Sequence, residues 1–124
     1  MFKGSNAFSG YSVDDIDRAR GFYGGTLGLD VTEDPAGLGL TLATGGKVFL
    51  YPKDTHEPAT FTVLNFPVAD IDAAVDALTA QGVTLERYDG FDQDERGIAA
   101  PDMGPRIGWF KDPAGNILSV LQES

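Results

Sequence analysis

"SVDDIDRA", residues 12–19, returns in altered form as "PVADIDAA", residues 67–74. Val13, Asp15, Ile16, Asp17 and Ala19 recur as Val68, Asp70, Ile71, Asp72 and Ala74, 55 positions later. In each copy an extended stretch runs into an aspartate. That carboxylate can cap a helix by accepting from the backbone N–H groups the helix itself leaves unpaired. The first copy follows "AFSGYSV", with Asp14 or Asp15 as cap. Ile16, Ala19, Tyr23 and Leu27 then fall on one helical face, and Gly24, Gly25 and Gly28 end the helix. The second copy follows "TFTVLNFPV", has Asp70 as cap, and carries the stripe Ile71, Ala74, Val75 and Leu78 up to Gly82.

The segments after each helix alternate in the manner of strands. "LDVTED", "LGLTLA" and "KVFLYP" follow the first, separated by turns at Pro35–Gly37 and Gly45-Gly46 and stopped by Pro52. "VTLERY" follows the second and is expected to be a strand. A polar stretch, 89–106, then holds one short strand near 97–100. "IGWFKD", a turn at "DPAGN" and "ILSVLQ" complete a hairpin. Each half therefore reads strand, helix, three strands. Module 1–53 and module 59–124 are joined by connector 54–58, with Pro52 and Pro58 as breakers. One helix on a four-stranded sheet closes a core of about 55 residues poorly, so the modules are expected to share one domain.

Composition narrows the function. With no cysteine there is no disulfide framework and no thiolate chemistry. No apolar run is long enough to span a membrane, and "MFKGSNAFSGY" lacks the apolar core of a secretion signal, so a cytoplasmic protein is expected. The net charge of −10 makes duplex nucleic acid and anionic membranes poor partners. It would favour a cationic or neutral ligand, although acidity of this kind also simply keeps a protein soluble. There is no phosphate loop, nucleophile elbow or dinucleotide fingerprint.

In "VDDIDRARGFYGGTLGLDV", "FPVADIDAAVDALTAQGV" and above all "WFKDPAGNILSVLQ", the chain resembles the vicinal-oxygen-chelate superfamily over nearly its whole length. That superfamily includes glyoxalase I, bleomycin- and fosfomycin-resistance proteins and extradiol dioxygenases. The resemblance implies an α+β fold of two βαβββ modules packed as half-barrels around a cleft. It also implies a homodimer, often with exchanged modules. In metal-dependent members the ligands come from the first and last strands of each module. Counted from the repeated phrase, those positions hold Phe8 and Val63, and Leu50 and Ser119. None is a ligand for a divalent cation. Shifting by one residue, to Ser9, Tyr51, Thr62 or Leu64, and Leu118 or Val120, does not supply one. No metal and no other cofactor is expected.

Strand alternation puts Ser12 and Asn65 on the face of Phe8, Leu50, Val63 and Ser119. Trp109 matches a pocket-lining aromatic of the fosfomycin-resistance branch; plain core packing is the alternative. Phe8, Ser12, Leu50, Val63, Asn65, Trp109 and Ser119 are thus the expected ligand-binding residues. Arg96 and Arg106 flank a Gly-interrupted stretch and are candidates for an anion clamp or lid, or for surface ion pairs with nearby acids. His56, the one histidine, sits in "KDTHEPA", which matches no metal-ligand spacing; it reads as a solvated connector residue, with a general-base role open. No catalytic residue is evident. The expected function is metal-independent binding of an aromatic or cationic small molecule in an apolar cleft. The alternative is a lyase, isomerase or transferase of the same superfamily.

Overall fold

The computed structural model describes residues 1–123. By its internal contacts the chain divides into two compact units, Met1–Glu57 and the remainder from Pro58.

The first unit contains β1 (Ser9–Val13), α1 (Ile16–Arg20), β2 (Asp30–Asp34), β3 (Gly37–Thr41) and β4 (Lys47–Pro52). Its sheet runs β1-β4-β3-β2, with β1 parallel to β4 and the other pairs antiparallel. Asp15 is the cap: its carboxylate accepts from the N–H groups of Asp17 and Arg18 at 3.0 and 3.1 Å. The regular α-helix is shorter than the sequence pattern suggests. From Gly21 to Thr26 it widens into a π-helical turn, with Leu27 N–H donating to the Phe22 carbonyl at 2.9 Å. Gly24 explains why the chain can close there: a Cβ would stand 3.3 Å from Val31 Cγ2, tighter than ordinary contact. Gly28 then leaves the helix at φ +74°, a conformation that favours glycine. The core joins Val13, Ala19 and Tyr23 to Leu38, Leu40, Val48 and Leu50.

The second unit contains β5 (Thr62–Pro67), α2 (Ile71–Ala80), β6 (Arg106–Lys111) and β7 (Ile117–Gln122). The sheet order is β5-β7-β6, with β5 parallel and β6 antiparallel to β7. Asp70 caps α2 through Ala73 N–H at 3.1 Å, and Gln122 Oε1 accepts from Ile71 N–H at 2.9 Å. At the far end Gly82 donates to Thr79 and Val83 to Leu78, both at 2.9 Å, with Gly82 at φ +82°. That is a Schellman closure, which satisfies two carbonyls the helix leaves over. Ile71, Val75 and Leu78 pack with Leu85, Phe110, Leu118 and Val120.

The expected strand "VTLERY" is not one. It meets β6 through Glu86 N–H to the Trp109 carbonyl at 2.6 Å. Leu85 explains its course: the side chain fills the space above Gly97 and Gly108, where added Cβ atoms would fall 2.8 and 2.6 Å from it. The short strand expected near 97–100 is reduced to isolated bridges from Ala99 to Gln93 and to Ile107. The second sheet therefore has three strands where the repeat suggested four.

The β6–β7 turn is fixed from inside. Asp112, 4% exposed, accepts from the backbone N–H groups of Ala114 and Asn116 at 2.9 and 2.8 Å, and from Asn116 Nδ2 at 3.0 Å. Gly115 supplies the φ of +85° that closes it. Among the described residues no helix is long and apolar enough to cross a membrane.

Candidate functional site

The second sheet has one face packed on α2 and one open face. Trp109 pairs with Ser119, and Ser119 with Asn65, so these three side chains share a face. Leu118 and Val120, next along β7, point the other way into the core. Strict alternation on β5 fails at a bulge between Thr62 and Leu64. Thr62 pairs with Ile117, which lies on the Ser119 face, while Val63 is the extra residue without a partner in the register. Thr62 therefore stands where the sequence suggested Val63.

A pocket of about 410 Å³ lies on this unit, lined by Thr60, Phe61, Thr62, Tyr88, Phe91, Trp109 and Ile117. Its floor is Trp109 and Ile117 from the hairpin that Asp112 holds. Tyr88 and Phe91 come from the irregular segment after α2. The Phe91 ring is tilted against Trp109 at 4.9 Å between centroids, and Tyr88 meets the same indole edge-on at 5.6 Å. Phe61 and Phe91 remain 68% and 55% exposed, so the rim is apolar and open to solvent. Two threonine hydroxyls, a phenol and the Trp109 indole N–H are the polar groups of the lining residues.

Tyr88 is unusual within that wall. Its hydroxyl oxygen is shut off from water, and among the described residues no atom is hydrogen-bonded to it. Burial raises its pKa above that of free tyrosine, the nearby Glu86 carboxylate raises it further, and Lys111 partly offsets this. Glu86 and Lys111 lie 3.4 Å apart. The phenol therefore stays protonated well into the alkaline range.

The other expected residues fall in separate places. Ser119 is fully buried and donates to Asn65 Oδ1 at 2.5 Å, so these two side chains satisfy each other at the edge of the aromatic floor. In the first unit Phe8 is 68% exposed at the start of the sheet. Ser12 Oγ lies 2.6 Å from His56 Nδ1. His56 is half-buried against β1, not the solvated connector residue expected. Leu50 does not share the face of Ser12 expected of it. It pairs with Tyr11 and Leu38 and is fully buried in the core, whereas Tyr51, the partner of Ser12, shares the open face. Counting alternation across the connector could not see this, because the parity of β4 is set by its pairing with β1 and β3. Phe49 stacks on Tyr51 with ring centroids 6.2 Å apart on that open face.

Arg96 and Arg106 converge, but on a protein carboxylate. Both hold Asp72 on α2, at 2.9 and 3.0 Å, and Arg96 also reaches Asp76 at 2.5 Å. The Arg106 hydrogen bond above all, with the charges of Arg106 and Arg96, holds the Asp72 carboxyl below its ordinary pKa; Asp72 raises that of Arg106. The two guanidinium groups tie the segment after α2, and β6, to the helix.

The metal that the resemblance implies has no matching donors. Among the described residues no group of three or more histidine, aspartate or glutamate side chains is placed to hold an ion. The counted positions hold an exposed phenyl ring, a buried leucine, a bulged valine and a serine bonded to Asn65.

Tyr88, Phe91, Phe61, Thr60 and Ile117 are not marked by the sequence reading, and Thr62 enters it only as a shifted metal-ligand position, not as a pocket wall. The aromatic pair in "RYDGFDQ" was the available signal: two large rings, three apart, within an otherwise polar stretch.

The model of the Glyoxalase/Bleomycin resistance protein/Dioxygenase superfamily matches residues 7–120. Several solved structures are similar. The fosfomycin resistance protein FosX from Listeria monocytogenes superposes with TM-score 0.75 at 13% identity, covering 100% of this chain and 96% of that one. A superfamily member from Sphaerobacter thermophilus gives 0.68 at 25% identity, covering 94% and 97%. TnmS3, an antibiotic binding protein from Streptomyces sp. CB03234, gives 0.66 at 24% identity, covering 95% and 96%. No curated protein sequence matches the chain.

Proposed function

The chain belongs to the glyoxalase/bleomycin resistance protein/dioxygenase superfamily, and on that premise we propose that it is a metal-independent small-molecule-binding protein. Its guest is an aromatic compound, neutral or cationic, seated against Trp109. The carrying observation is the aromatic pocket itself: an indole floor with Phe91 and Tyr88 packed against it and Phe61 at the rim. Concave, mostly apolar sites with a few polar groups are what drug-sized ligands fill. Exposed rings of this size otherwise burden a monomer. The net charge of −10 adds a field that favours cations, and an indole face attracts them directly. TnmS3, similar in fold, is described as antibiotic binding, which supports a binding role here without naming the guest. We further propose that the protein works as a cytoplasmic homodimer, which a sedimentation mass of one chain would contradict.

A second reading, a lyase, isomerase or transferase of the superfamily, draws on one contact. Ser12 Oγ and His56 Nδ1 lie within hydrogen-bond reach, as a nucleophile or proton-transfer pair would. A methylglyoxal–glutathione turnover assay with and without added divalent metal separates the two readings. For binding, the probe is intrinsic: Trp109 is the chain's one tryptophan. Titration with aromatic amines and neutral aromatics should shift or quench its emission saturably. An unresponsive tryptophan together with an unchanged melting temperature would overturn the binding reading.

A further inference from the structure

Tyr88 gives the guest a chemistry. Among the described residues its hydroxyl is the one buried side-chain polar atom lacking a hydrogen-bond partner. Elsewhere the buried polar groups are matched: Ser119 with Asn65, Asp112 with Asn116 and Tyr23 with Tyr11. A buried hydroxyl left unpaired costs free energy, and unpaired buried polar groups are few in native proteins. The residue that carries this one is also a wall of the pocket.

We infer that the pocket's guest carries a neutral hydrogen-bond acceptor, a ketone-type carbonyl oxygen on an apolar aromatic frame, and that the Tyr88 hydroxyl donates to it. The inference rests on the binding reading above and narrows it. The aromatic frame is demanded by Trp109 and Phe91. Neutrality is demanded by charge: Glu86 lies close enough to act on the phenol, Lys111 is already paired with Glu86, and the whole chain is acidic. An anionic acceptor would be repelled where a carbonyl is not. The oxygen is covered, so the acceptor reaches it by moving a covering side chain aside.

The test uses three probes of one shape. Acetylnaphthalene has the carbonyl, isopropenylnaphthalene replaces its oxygen by a methylene, and naphthoate carries an anion. Affinities are measured by calorimetry on the intact protein and on Tyr88→Phe. The ketone should bind wild type about tenfold more tightly than the alkene, the worth of one net hydrogen bond. Naphthoate should bind weakest, and Tyr88→Phe should bring the ketone-to-alkene ratio close to one. An infrared carbonyl stretch lowered in the wild-type complex, relative to the ketone in alkane, reports the bond without any variant. Equal ketone and alkene affinities in wild type, a ratio that survives Tyr88→Phe, or an unshifted stretch would overturn the inference while leaving the pocket reading intact. If none of the three binds, the pocket reading itself falls and takes this inference with it.

Discussion

Removing the carboxylate of Asp112 should destabilise the protein without touching the pocket's chemistry. The side chain is 4% exposed and accepts from Ala114 N–H, Asn116 N–H and Asn116 Nδ2 at 2.9, 2.8 and 3.0 Å. Asp112→Ala deletes these acceptor contacts. Asn116 is 2% exposed, so its backbone N–H and its Nδ2 cannot turn to water. Ala114 is only half-buried, and its N–H can be rescued by solvent. Two buried donors losing this acceptor, at about 1–2 kcal/mol each, give a loss of about 2–4 kcal/mol. For a chain of this length that lowers the melting temperature by about 10 °C. Asp112→Asn keeps one oxygen as acceptor but turns an amide toward Asn116, and should lose about half as much. Urea unfolding followed by far-UV circular dichroism reads both, and Trp109 emission reads the hairpin directly. At temperatures where Asp112→Ala is folded, aromatic guests should bind it with wild-type affinity. A loss under about 0.5 kcal/mol would contradict a buried, bonded carboxylate, since an aspartate on the turn's surface would give that.

Further outcomes follow from other contacts. Gly108→Ala places a Cβ 2.6 Å from Leu85 Cδ1 and should cost about 1–3 kcal/mol; adding Leu85→Ala should cost less than the sum of the two, a coupling that a double-mutant cycle measures. Asp72 has a lowered folded pKa, so its contribution is present above the ordinary carboxyl value of about 4 and is lost as pH falls through the folded value. Asp72→Asn should flatten that acid limb of the stability profile, by a small amount because the side chain is half exposed. Tyr88 has a raised folded pKa: above about pH 10 the unfolded phenol loses its proton while the folded one keeps it, so stability falls as pH rises. Tyr88→Phe should melt no lower than wild type at neutral pH, and its advantage should widen above about pH 10.

Much of the fold is legible in the repeated phrase. Asp15 and Asp70 cap their helices because a short acceptor at the end of an extended stretch has one good place to go. Gly82 closes α2, and "DPAGN" turns the chain, for reasons equally local to the sequence. What alternation could not supply was facing. Leu50 points into the core because its partners Tyr11 and Leu38 do, and Val63 is displaced by a bulge that no pattern of residue types marks. "VTLERY" has a strand's composition, yet Leu85 must fill the space above two glycines far along the chain. The aromatic pocket was half visible. Trp109 is reached through the resemblance to the fosfomycin-resistance branch, whereas Tyr88 and Phe91 meet it from an irregular segment whose path no periodicity predicts. His56 shows the same limit, since only the folded chain brings it to Ser12.

The most direct test of the account is a nuclear magnetic resonance titration of the single indole N–H, that of Trp109. With a neutral aromatic ketone added, this resonance should move saturably, and amides of Phe61, Tyr88 and Phe91 should move with it at the same apparent affinity. An indole signal that stays fixed while the ketone binds elsewhere on the protein would contradict it.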